Sequence, residues 1–143
     1  TNFCGKNWQN RKLLGEYGKH LEAMFGHDIM PMLAMRNAHT KHAQLRTDFG
    51  ESTPCARHPI GYTFASVRRR QGEFYVEAGG AVVEVTRPGE SESDHDFDQY
   101  DKRLVDYKIT NKGSSFKELE DEVRNSDLAR WISWKSNAEF MSL

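Results

Sequence analysis

The chain has 143 residues, 37% hydrophobic, 29% charged and 11% aromatic, which is the size of one domain spanning 1–143 and too rich in Phe, Tyr and Trp for a disordered one. A net charge of −1 excludes a global field that would draw it to nucleic acid or an anionic membrane, so any such contact must come from a local patch. The longest apolar run, IMPMLAM at 29–35, is interrupted by Pro31 and falls far short of the ~20 residues of a membrane helix.

The first residues form neither a basic n-region nor an apolar h-region, so the expectation is a soluble, cytoplasmic protein with no membrane partner. The two cysteines, Cys4 and Cys55, are expected to be reduced, because a domain this long needs no disulfide staple.

In chain order, Leu14, Tyr17, Leu21 and Met24 recur at the i, i+3, i+7, i+10 spacing of an amphipathic helix over 10–25, and Gly26 supplies a stop. A second helix follows from Asp28, with Pro31 tolerable in its first turn and the end near Thr47 to Gly50. Beyond the loop DFGESTPCARHPIG the period changes to two. YTFASVRRR, EFYVEA and AVVEVTRP read as strands, separated by the two-residue turn signals QG at 71–72 and GG at 79–80.

After an acidic loop over 89–101, LVDYKIT (104–110) alternates Val105, Tyr107 and Ile109 against Asp106 and Lys108, the pattern of a strand with one wet face. Ser115 with Glu118 forms a capping box before Phe116, Leu119 and Val123, and NSD at 125–127 separates a last helix carrying Leu128, Trp131 and Ile132. The predicted fold is α+β: two N-terminal helices, a four-stranded mainly antiparallel sheet (a three-strand meander plus one) and two C-terminal helices.

Four constellations carry chemistry. His39, His42, Cys55 and His58 form H-x2-H-x12-C-x2-H, two ligand pairs about a dozen residues apart, as short zinc-binding chains supply them. At 100° per residue His39 and His42 lie about 60° apart on one helix face with Met32 and Met35. The plainer reading is helix packing without metal, since a chain with six histidines yields such spacings by chance.

In SVRRRQGEFYV, Arg68 and Arg70 share a strand face and Tyr75 stands across the expected hairpin, a basic and aromatic surface for an anionic or nucleic-acid partner. Ion pairing with Glu73, Glu77 and Glu84 is the alternative use of those arginines. Third, Asp106 and Lys108, with Glu84 and the acidic loop upstream, resemble the (D/E)-x-K strand by which metal-dependent nucleases hold Mg²⁺ and steady the scissile phosphate. RPGE at 87–90 stands where that pattern has Pro-Asp. The same loop fails as a calcium site, having Gln99 and Val105 where Gly and Glu are required.

Fourth, Trp131, Trp134 and Phe140 exceed what one helix face can bury, because Trp134 projects about 60° beyond Trp131. Tryptophan anchors of this kind dominate protein interfaces. The sequence therefore favours a small interaction or assembly domain, an accessory or structural subunit without a cofactor, binding a protein partner or a second copy of itself. A zinc-stabilised protein and an Mg²⁺-dependent nuclease are the readings from other classes.

Overall fold

The computed structural model describes residues 8–49, 61–89, 98–113 and 115–141. Two long helices open it, α1 (Trp8–Phe25) and α2 (Ile29–Phe49). Gly26 ends α1 with φ +92, a conformation that costs glycine nothing, while its N–H still donates to Glu22 O at 2.9 Å. Asp28 O accepts the Met32 N–H at 2.9 Å to start α2, and Pro31, whose missing N–H is not needed in a first turn, is fully buried. The two helices pack on each other and α2 also packs on a short helix, α3 (Gln71–Glu77).

Two strands follow, β1 (Val82–Thr86) and β2 (Val105–Thr110), with a 3-10 turn at Lys102–Leu104 leading into the second. They run parallel, with Glu84 opposite Lys108 and Val85 opposite Ile109, and the register slips between Val82 and Val83 so that Asp106 is the extra residue of a bulge. Residues 87–104 supply the long crossover a parallel pair needs. Helices α4 (Phe116–Arg124) and α5 (Asp127–Met141) complete the order. Ser115 Oγ accepts the Glu118 N–H at 3.1 Å, as the capping box requires, and Ser126 accepts from Ala129 N at 3.3 Å where α5 begins.

The mixture of helix and strand agrees with the α+β expectation, but the four-stranded antiparallel sheet does not form: the described residues contain five α-helices and one sheet of two parallel strands. EFYVEA is helical in α3. A β-carbon on Gly72 would stand 3.2 Å from Leu104 Cδ1 and 3.4 Å from Val82 Cγ2, so the glycine read as a turn signal is instead what lets α3 lie against β1 and the 3-10 turn.

YTFASV belongs to no ladder. Tyr62 and Phe64 do alternate inward, yet they meet rings rather than a strand, and positive φ at Ser66 (60) and Arg69 (49) turns the backbone. The backbone of Arg69 instead makes an isolated parallel bridge to Tyr100.

Packing inverts the usual partition. Among the described residues the buried apolar side chains are Ile109, 2% exposed, and Pro31, whereas Leu14 is 70% exposed, Tyr17 62% and Met24 67%. Three of the four residues that marked α1 as amphipathic, Leu14, Tyr17 and Met24, thus face away from the fold, while Leu21 is half-buried. Inward the helix presents Gly15, which is buried, and Glu22, whose carboxylate takes Arg69 Nη1 at 2.9 Å and Gln71 Nε2 at 3.1 Å.

No helix among the described residues is long and apolar enough to cross a membrane. Ile109→Ala should cost about 2–4 kcal/mol, and the same truncation of its exposed cross-strand partner, Val85→Ala, under about 0.5 kcal/mol. Urea unfolding of the two variants measures the contrast, and equal losses would mean that Ile109 is not the centre of the core.

Candidate functional site

One face of the two strands gathers polar groups. Alternation sets Val83, Val85, Tyr107 and Ile109 on one side and Glu84 and Lys108 on the other, where register makes them direct neighbours. Glu84 is 8% exposed. Its Oε2 lies 3.0 Å from Lys108 Nζ, and its Oε1 accepts a hydrogen bond from the Tyr100 hydroxyl.

First the Tyr100 hydrogen bond and then Lys108 hold the Glu84 carboxyl below its ordinary range, outweighing the burial that opposes ionisation. Asp106, exposed at the bulge, accepts the Val82 N–H at 2.9 Å. Nearby, Arg103 holds Asp101 down to about 2 through a side-chain hydrogen bond. The result is a buried carboxylate on β1 paired with an exposed lysine on β2, and an exposed carboxylate two residues before that lysine.

Sequence spacing finds Asp106 and Lys108 but not Tyr100, and it leaves Glu84 one upstream acid among several. The usable signal for Glu84 is its place in VVEV, a lone charge in an apolar strand run.

The other predicted sites separate. The His39 ring lies 5.5 Å from that of Tyr62, tilted at 53°, and His42 Nδ1 shares a 2.9 Å hydrogen bond with the Tyr62 hydroxyl, so the chain has returned to the His39 and His42 face of α2 by residue 62. His42 Nε2 is buried and without a hydrogen-bond partner among the described residues. Cys55 and His58 lie outside the described residues, which contain no group of three His, Cys, Asp or Glu that could hold a metal ion.

The basic hairpin is replaced by ion pairs. Arg68 meets Asp98 at 3.1 Å, Arg70 meets Glu73 at 2.9 Å and draws its carboxyl down through that hydrogen bond, and Tyr75 stacks on Phe64 at 4.9 Å. Burial raises the Tyr75 hydroxyl above its ordinary pKa. Since residues 68–77 turn into α3 rather than cross to a second strand, Arg68, Arg70 and Tyr75 do not form the expected strand surface.

The two tryptophans of α5 part as their 60° offset requires. Trp131 lies 6.1 Å from Tyr107 with Lys135 Nζ 5.8 Å from its ring centre, and so docks α5 onto β2; Trp134 is 63% exposed. Phe140 falls within α5, and its side chain is outside the described set. Compared with known proteins, the chain matches no family model, no curated protein and no solved structure.

A depressed folded-state pKa means that the Glu84 contribution to stability is present above the ordinary carboxylate pKa and is lost as pH falls through the folded value. Urea midpoints between pH 7 and pH 3 should therefore fall more steeply in wild type than in Glu84→Gln, with the variant weaker at pH 7 and the two curves converging in acid. Parallel curves would show that the Glu84 contacts do not form in solution.

Proposed function

We propose that this chain is a small interaction or assembly domain, an accessory or structural subunit whose work is to bind a protein partner. Trp134 carries the reading. Its neighbour Trp131 lies against Tyr107 and α5 also packs on α4, so the helix is held in place while Trp134 stays 63% exposed. A tryptophan held outward on a helix that is itself anchored loses little freedom on binding and offers a large apolar area, which is the profile of an interface anchor.

Phe116, 82% exposed at the start of α4, supports the same reading. It shares one side of that helix with Leu119 and Val123, which are half-buried, beside the Glu120 and Arg124 ion pair. Affinity capture from native extract with wild type and Trp134→Ala tests it. A partner retained by the first should be lost or weakened at least about tenfold by the second, with urea stability unchanged. Identical capture by both would reject Trp134 as the anchor.

The common face of Glu84, Asp106 and Lys108 favours a second reading, Mg²⁺-dependent cleavage of a phosphodiester. Magnesium needs one or two protein carboxylates, water and substrate phosphate completing its shell. Glu84 and Asp106 are the carboxylates available, and Lys108, 68% exposed, can turn from Glu84 to a phosphate oxygen. Plasmid nicking in Mg²⁺ should then fall about 10²–10³-fold in Lys108→Ala, and nicking that persists in that variant would exclude the assignment.

A further inference from the structure

We infer that the outward face of α1 is the seam of a homodimer, in which Leu14, Tyr17, Leu21 and Met24 pack against the same residues of a second copy. The helix is oriented against its own amphipathicity. Taking 100° per residue, Leu13, Leu14, Tyr17, Leu21, Met24 and Phe25 fall within an arc of about 120°, while Gly15 and Glu22 lie together about 130° from its centre. The fold takes the Gly15 and Glu22 side: Gly15 is buried, and the Glu22 side chain is 11% exposed and bound to Arg69 and Gln71. Leu13, Leu14, Tyr17, Met24 and Phe25 are left 62–70% exposed, and Leu21 between them is half-buried.

Three features of this face select a second copy as its occupant. Leu14 and Leu21 alternate with Tyr17 and Met24 at 3-4-3 spacing, the a and d positions of a heptad, which pack knobs into holes against a helix of the same kind. The positions flanking that seam are Leu13, Gly18, His20 and Phe25. None is Asp, Glu, Lys or Arg, so no fixed like charges face each other when the surface meets itself, and the charged Lys12, Glu16, Lys19 and Glu22 stand on the remaining sides.

The area is also adequate. Five side chains about two-thirds exposed offer roughly 600–700 Å² per copy, close to the about 800 Å² per partner of a standard interface. A two-fold arrangement uses this one patch twice and leaves no further edge, so assembly stops at two. The surface belongs to a different helix from Trp134, and its use does not depend on the partner reading or the phosphodiester reading.

Sedimentation equilibrium of the full chain from 1 to 200 µM tests it, together with Leu14→Glu/Tyr17→Glu. Wild type should pass from 16.5 kDa to twice that mass, and the double variant should dissociate at least about 30-fold more readily with unchanged helix content. Hydrogen exchange on wild type below and above the midpoint gives a reading that needs no variant: the added protection should fall within 13–25. A monomer throughout the range, a dimer untouched by the double variant, or protection confined to other segments would overturn the inference. Identical capture by wild type and Trp134→Ala, in a chain that still dimerises, would count against the partner reading alone.

Discussion

A carboxylate buried on a strand must find opposite charge and hydrogen-bond donors, because removing it from water unpaired costs several kcal/mol. Glu84 does so through Lys108 on the adjacent strand and Tyr100 in the segment that leads to it. Both partners constrain the chain. Lys108 opposite Glu84 belongs to a single register of β1 against β2, and a slip of one residue would carry Lys108 to the Tyr107 and Ile109 side.

Tyr100 ties the incoming crossover to the same carboxylate, and Arg69 bridges the same place through its backbone, so the approach of β2 is fixed before the strand begins. With that register set, Ile109 and Tyr107 face the opposite side, where Trp131 brings α5 against the sheet. The net stabilisation from such a pair is modest, since the exposed Lys108 repays only part of the desolvation of Glu84; its effect is to make one pairing much better than its alternatives.

The same economy recurs at the junction of α1 with the rest of the chain. Glu22, Arg69 and Gln71 join α1 to the start of α3 by polar contacts where a larger core would use leucines. Arg69 reaches this position at φ 49, a region that disfavours non-glycine residues. The Glu22 ion pair and the backbone bridge to Tyr100 together hold the residue there. Polar joints of this kind specify geometry more than they add stability, and they leave the apolar arc of α1 outside.

How much was legible in the sequence follows from which features are local. The bounds of α1 and α2, the stop at Gly26, the Ser115 cap, the break at 125–127 and the wet and dry faces of β2 all rest on signals within a few residues, and they are present. The 60° offset that separates Trp134 from Trp131 is likewise a property of one helix.

What was not legible depends on partners distant in the chain. EFYVEA has the Phe, Tyr and Val of a strand, and six residues are too few for periodicity to decide; the close fit of Gly72 against Leu104 and Val82 decides it. The alternation in YTFASV was real, but His39, His42 and Tyr75 receive its rings. Helical periodicity located the apolar face of α1 correctly and could not say which way that face would point.

That last distinction bears on how the chain is held together. Ordering a residue costs about 1–2 kcal/mol in backbone entropy alone, and the described residues bury only Ile109 and Pro31 as apolar side chains against it. Half-burial of side chains such as Phe64, Val83, Leu104, Tyr107 and Trp131 offsets part of this cost, and further apolar surface stands outside on α1, at Phe116 and at Trp134. Burying the α1 arc against a second copy would couple folding to association, so that stability rises with protein concentration. Glu22 inside and Leu14 outside would then be two halves of one arrangement. The polar joint orients the helix while leaving Leu13 and Leu14 uncovered, and a dimer would add the hydrophobic burial that the single chain lacks.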